Sequence, residues 1–403
     1  MRSCLLLYIL PLVLFMGCRN NRPETYDNYV ILVSFDAFRW DYPDHYPTPN
    51  LDRIEAEGVK ADRLIPSFPS LTFPNHYTIA TGLYPDHHGL IHNKFIAPDL
   101  GKFYRISDRS MVEDPSFYGG EPLWVTARKQ GMITASYFWV GSEAAIEGLH
   151  PDYWKSYEES DQFTARVDTV IKWLSLPLNE RPRFITLYFQ EPDATGHDFG
   201  PLSQETGAMV ARLDSVIGYL RQEISRLPYG DRVNLIILAD HGMGPISPEK
   251  YVNISAFLDK DRVVSLVGSN PVYLLDVKDG YEDSAVAVLD RLEGVEAFRK
   301  EKLPEHLHYG THPRIPDIVV FADSSWSIGP TDHAESYTGG AHGFDPADSD
   351  MGAIFYAAGP GFKKGYHQTG FQNIEVYNIV CELLGLQPAD NDGNPEIIRE
   401  MLK

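Results

Sequence analysis

Six runs of strand length set the limits on what this chain can become: Tyr29–Phe35, Ile133–Trp139, Phe184–Phe189, Val233–Ala239, Ile318–Phe321 and Ala353–Ala358. Most are continuously apolar rather than alternating, so both faces of each strand must be covered. Between them, Thr48–Glu57, Leu123–Gln130, Gln162–Leu174, Gln204–Leu227 and Ile374–Leu384 carry apolar residues at three- and four-residue spacing, the period of helices with one buried face. The alternation predicts an α/β domain over 29–403, with a mainly parallel central sheet between helix layers. From about Ser247 to Ile328 the pattern changes. Val263–Val267, Val272–Leu275 and Ile318–Phe321 read there as strands, with helices over Glu282–Leu292 and near Ala297, so 247–328 is expected to be a small α+β insertion.

The formal charge is −21 and no Lys/Arg-rich run is present, which argues against binding a nucleic-acid duplex. A small phosphorylated substrate stays open, because bound cations invert the local potential. Residues 1–18 read as an export signal: Arg2 supplies the charge, Leu5–Met16 the apolar stretch, and Gly17-Cys18 a lipoprotein-type end with Cys18 as the lipidated residue. That predicts a periplasmic or cell-surface protein held to a bacterial envelope membrane only by its N-terminal lipid, with 19–28 as a polar linker. Cys381 is then the one cysteine of the folded part, and no intrachain disulfide forms there.

In open α/β sheets ligands gather beyond the carboxyl ends of the strands. The run Tyr29–Phe35 ends at Asp36, Phe184–Phe189 leads into Asp193 and His197, and Val233–Ala239 leads into Asp240-His241. A glycine-rich turn, Gly339-Gly340-Ala341-His342-Gly343, adds another histidine. Singly, each has an ordinary reading as a cap or a turn residue. Together they are three carboxylates and three imidazoles, too many for one catalytic zinc and enough for two, each with an open position. Asp193, His197 and His342 would serve one metal; Asp36, Asp240 and His241 the other.

A Pro-punctuated loop, "SFPSLTFPNHYT" over 67–78, offers four Ser/Thr hydroxyls and no G-x-S-x-G elbow. A hydroxyl beside a metal needs no histidine base, so the missing triad is no objection to a nucleophile here.

The motifs "SFDAFRWDY", "PSFPSLTFPNHYTIATGLYPDHHGL", "YFQEPDATGHDFGP", "LADHGM" and "GGAHGFD", in this order, closely resemble the nucleotide pyrophosphatase/phosphodiesterase family of the alkaline phosphatase superfamily, from Val30 through Tyr377. The resemblance implies an alkaline-phosphatase-like core and two zinc ions. It makes Thr72 the nucleophile and assigns Asp36, Asp240 and His241 to the zinc that activates it. Asp193, His197 and His342 go to the zinc that serves the water. Asn93, in "GLIHN", is implied to bind a non-bridging phosphate oxygen; Phe73 and Tyr157 are implied to sandwich a nucleobase. The reaction implied is hydrolysis of nucleotide phosphodiester and pyrophosphate bonds through a nucleotidyl-threonine, releasing nucleoside 5′-monophosphates.

Rival readings keep the metals and change the substrate to a choline phosphodiester, a phosphonate or a phosphomonoester. A sulfatase lacks support, since Thr72 is followed by Phe73-Pro74-Asn75 and not by a Pro-x-Arg context. A ligand-binding surface lipoprotein without activity would be expected to have lost some of these residues. His306, His308 and His312 read as a loop coincidence rather than a third metal site.

Overall fold

The structure, a computed structural model, describes residues 28–403; the export signal, the lipidated Cys18 and most of the linker lie outside that range. Tyr29–Phe35 is buried at every position and pairs in parallel with Phe184–Phe189 on one side and Val233–Leu238 on the other. Thr134–Tyr137 and then Tyr153–Lys155 continue the sheet in parallel beyond Phe184–Phe189. On the opposite side Phe355–Ala358 runs antiparallel to Val233–Leu238, and Val59–Ala61 and Tyr366–Gln368 complete eight strands. Phe355–Ala358 alone opposes the common direction. Continuous apolar runs thus became strands covered on both faces.

The helices fall on the expected segments with slightly trimmed ends: Pro49–Glu57, Leu123–Lys129, Phe163–Leu174, Gln204–Ser225 and Glu375–Leu384. The first is capped from a distance. Asp214 accepts the backbone N–H groups of Asn50 and Leu51 and so ties that helix to Gln204–Ser225.

The region after Ser247 builds a separate four-stranded antiparallel sheet in the order Val263–Ser269, Val272–Val277, Ile318–Ala322, Val295–Arg299. One expectation changes here. Ala297 lies in the edge strand Val295–Arg299 and not in a helix: Val295 and Ala297 alternate with less buried neighbours, which is a strand's period. Ile318–Ala322 is an inner strand of this sheet. This region has its own apolar core, which extends to Ala341, Phe344 and Met351 around the glycine-rich turn. Among the described residues no helix is long and apolar enough to cross a membrane.

Candidate active site

Phe184–Phe189, Tyr29–Phe35 and Val233–Leu238 are neighbours, and all three end at the same sheet edge. Two groups of side chains gather there: Asp36, Asp240 and His241, and then Asp193, His197 and His342. In each group the candidate ligand atoms lie within 4.8 Å of one another. The rings of His241 and His342 stack with centroids 3.8 Å apart, so the groups share a wall.

Local sequence explains the second group. Asp193 opens the helix Asp193–Phe199, and four-residue spacing puts His197 on the same face, Nε2 3.3 Å from Asp193 Oδ1. The turn carrying His342 reaches that helix because residue 339 is glycine: its φ is +78°, and a Cβ there would overlap the His197 carbonyl. His342 Nε2 then stands 3.3 Å from Asp193 Oδ1.

Each of the three histidines is oriented by a backbone carbonyl. Nδ1 of His241 lies 2.9 Å from the Gly242 carbonyl, Nδ1 of His197 2.8 Å from that of Gly340, and Nδ1 of His342 3.0 Å from that of Ser70. A carbonyl only accepts, so Nδ1 carries the hydrogen and the neutral ring presents a lone pair at Nε2. That lone pair meets carboxylate oxygens: His241 Nε2 is 3.0 Å from Asp240 Oδ2 and 3.5 Å from Asp36 Oδ1. Two acceptors so close need a cation between them. Asp193 Oδ1 and Asp240 Oδ2 are moreover buried with no hydrogen-bond partner among the described residues. Carboxylate and imidazole together fit a divalent metal of the zinc type.

Without a metal, protons take its place. Burial pulls the His197 imidazole down, but Asp193 beside it outweighs that and lifts it to about 9. His241 is raised in the same way by Asp240, against its burial. His342, buried and next to His241, is held down at about 3. Among the carboxyls, burial and the neighbouring Asp240 and Asp193 push Asp36 well above the usual range. Asp193 is also buried, yet His197 and His342 bring it to about 2.

Thr72 is the first residue of the helix Thr72–Thr81. Its hydroxyl sits 3.3 Å from His241 Nε2 and 3.5 Å from Asp36 Oδ1, against the first group. The preceding loop is held by Asn75, whose Nδ2 donates to the carbonyls of Pro69 and Leu71 and whose Oδ1 accepts from Ser67 N–H. Asn93 Oδ1 accepts the Phe73 N–H at 3.0 Å, which turns its NH2 group the other way. Thr72, Phe73, Tyr157, Asp36 and Asp193 all line one cavity of about 390 Å3. Tyr157 is 37% exposed and packs edge-on to Phe138, 5.2 Å between centroids.

Sequence reasoning could not place several residues that the fold brings here. Tyr188 donates to Asp36 Oδ2 at 2.6 Å. Glu143 forms an ion pair with Arg109 on the cavity wall and accepts from the Tyr157 N–H. Such pairs are distant along the chain, and only the strand position of Tyr188, next to the end, hints at its place. The rings of His306, His308 and His312 go to separate partners: Asp345, the Tyr84 ring and the Arg314 N–H, which His312 Nδ1 accepts.

A model of the type I phosphodiesterase/nucleotide pyrophosphatase family matches residues 30–345. The chain belongs to that family. As a member it is a phosphodiesterase, and its relatives agree in both sequence and fold. It is 36% identical over 419 residues to ectonucleotide pyrophosphatase/phosphodiesterase family member 7 of Mus musculus, covering 99% of this chain and 92% of that protein. It is 38% identical over 384 residues to venom phosphodiesterase CdcPDE of Crotalus durissus collilineatus, covering 93% of this chain but only 46% of the venom protein. Family member 1 of Homo sapiens is 36% identical over 93% of this chain, which spans 42% of the human protein. The structure of murine family member 5, in an inactive threonine-to-alanine form in complex with AMP, superposes with a TM-score of 0.88 at 32% identity, covering 93% of this chain and all of that one. The fold is accordingly that of the alkaline phosphatase superfamily.

Proposed function

We propose that this phosphodiesterase hydrolyses nucleotide pyrophosphate and phosphodiester bonds in two displacements at phosphorus, with Thr72 as the nucleophile. The observation that carries the reading is the Thr72 hydroxyl, set between His241 and Asp36 at 3.3 and 3.5 Å. Two divalent cations, read as zinc and held one by each group, would lower the pKa of a hydroxyl and of water and neutralise phosphate charge.

The chain's own residues supply positioning. The helix that begins at Thr72 turns its positive end to the reacting phosphate. Asn93 offers its NH2 group to a non-bridging oxygen. Phe73 and Tyr157, on one cavity, hold the nucleobase through its π-face, which every base has. A nucleotidyl-threonine forms as the leaving group departs; water then attacks from the opposite side, giving net retention and a nucleoside 5′-monophosphate. The AMP complex of the murine relative, in a form inactivated at a threonine, supports both the product and the nucleophile.

The cavity supports a base over choline. Its buried carboxyl outside the metal groups, Glu143, is paired with Arg109 and raised by burial, which makes it a poor seat for a quaternary ammonium. The leader-like residues 1–18 and the "ecto-" and venom relatives support a site of action outside the cytoplasm.

The test compares a p-nitrophenyl nucleoside 5′-monophosphate diester with p-nitrophenyl phosphate, using zinc-loaded protein and Thr72→Ala. A strong diester preference, lost in the variant, is expected. A preference for the monoester would move the protein to the phosphatase branch.

A further inference from the structure

His76, one turn into the helix Thr72–Thr81, is wholly buried and touches both halves of the nucleophile site. Its Nδ1 lies 2.9 Å from the Thr72 carbonyl and 3.1 Å from Asp240 Oδ2. Its Nε2 lies 2.9 Å from Ser34 Oγ. The Thr72 carbonyl that Nδ1 meets can only accept a hydrogen bond. Nδ1 therefore carries the hydrogen, and Nε2 accepts from the Ser34 hydroxyl.

The ring cannot turn. Trp139 packs edge-on at 5.2 Å and Tyr188 at 5.0 Å between centroids, and Trp139 Nε1 donates to the His76 carbonyl. Tyr188 is the residue that donates to Asp36. One aromatic block thus reaches both carboxylates of the first group and the backbone of the nucleophile.

We propose that His76 is a positioning residue: its ring, with Nδ1–H donating to the Thr72 carbonyl and standing 3.1 Å from Asp240 Oδ2, wedges the first turn of the Thr72 helix against Asp240 and so sets the distance between the nucleophile and the first metal. The inference rests on the proposed roles of Thr72 and Asp240. A residue that orients a ligand this way is worth about 10- to 100-fold in metal affinity or activity.

Asparagine and glutamine separate the two ring nitrogens, because an Asn amide reproduces Nδ1 and a Gln amide reproduces Nε2. His76→Asn is expected to keep kcat within about 5-fold, whereas His76→Gln loses about 10- to 100-fold in kcat at nearly unchanged KM and gives up zinc to a chelator sooner. Equal behaviour of the two variants, or full activity and zinc retention in His76→Gln, would overturn the proposal. If His76→Gln does not fold, Ser34→Ala replaces it. Removing that hydroxyl lifts its hold on the Nδ1–H tautomer, and kcat is expected to fall about 3- to 10-fold, against no change if His76 only fills space. Thr72→Ala is run alongside. Turnover by that variant would overturn the underlying reading, an outcome distinct from failure of the His76 prediction alone.

Discussion

The two candidate metal groups are chemically alike and built on different ground. Asp36, Asp240 and His241 follow directly from two central strands, and the side chains of His241 and Asp36 are 0% and 4% exposed. Asp193 and His197 ride on a single short helix, and His342 arrives on a turn beside the core of the insertion; His197 is 41% exposed in its side chain. The first group is locked by the sheet, by Ala37 N–H on Asp240 and by Tyr188 on Asp36. The second depends on a close approach that glycine permits. A rigid group beside the proposed nucleophile and a more open one facing solvent suit one site that aligns attack and another that admits water and releases product.

The largest expected effect comes from the rigid side. Asp240→Asn should lower activity on the order of 10³-fold, with no recovery in excess zinc, because removing one ionised ligand leaves the buried remainder unable to hold the cation. Steady-state rates across a zinc titration check this. The open side is expected to be more forgiving. His197→Ala should lose about 10- to 100-fold and regain part of it in millimolar zinc. Equal rescue of both variants would erase the distinction between the groups.

Gly339→Ala sharpens it further. The added methyl strains a backbone at φ +78° and pushes the His342 turn off the helix, so the second metal should be lost while the first stays. A fall of about 10-fold in activity, with one zinc per chain remaining by elemental analysis, is the expected result.

What was legible in the chain follows the same division. Continuous apolar runs marked the central strands, and acids at their ends marked the first group, because both signals are local. Val59–Ala61, Tyr153–Lys155 and Tyr366–Gln368 are too short for any period to register. Ala297 was misread because a five-residue strand after a helix leaves little alternation to see. His76 with Asp240 and Arg109 with Glu143 are through-space pairs, and nothing in the neighbourhood of either residue announces its partner.

The smallest effect concerns pH. In metal-free protein the raised imidazoles of His197 and His241 add stability that is complete below about pH 6.5, the unfolded value, and is lost as pH rises through the folded one, about 9 for His197. His342, held at about 3, is neutral in the folded chain, so only its unfolded imidazole still titrates near pH 6.5 and it adds a small opposing slope at the start of that window. The melting temperature of the metal-free chain should therefore drop by a few degrees, roughly 1–4 °C, between pH 6.5 and 9. Zinc-loaded protein should show little of this, since the cation has displaced the protons. Identical pH profiles with and without zinc would show that the protons never occupied the metal positions.

The central claim, two metals held with unequal strength around Thr72, is tested most directly by anomalous diffraction at the zinc edge before and after brief chelation. The account predicts two peaks, one among Asp36, Asp240 and His241 and one among Asp193, His197 and His342, with the second fading first. A single peak, or loss of the first site ahead of the second, would contradict it.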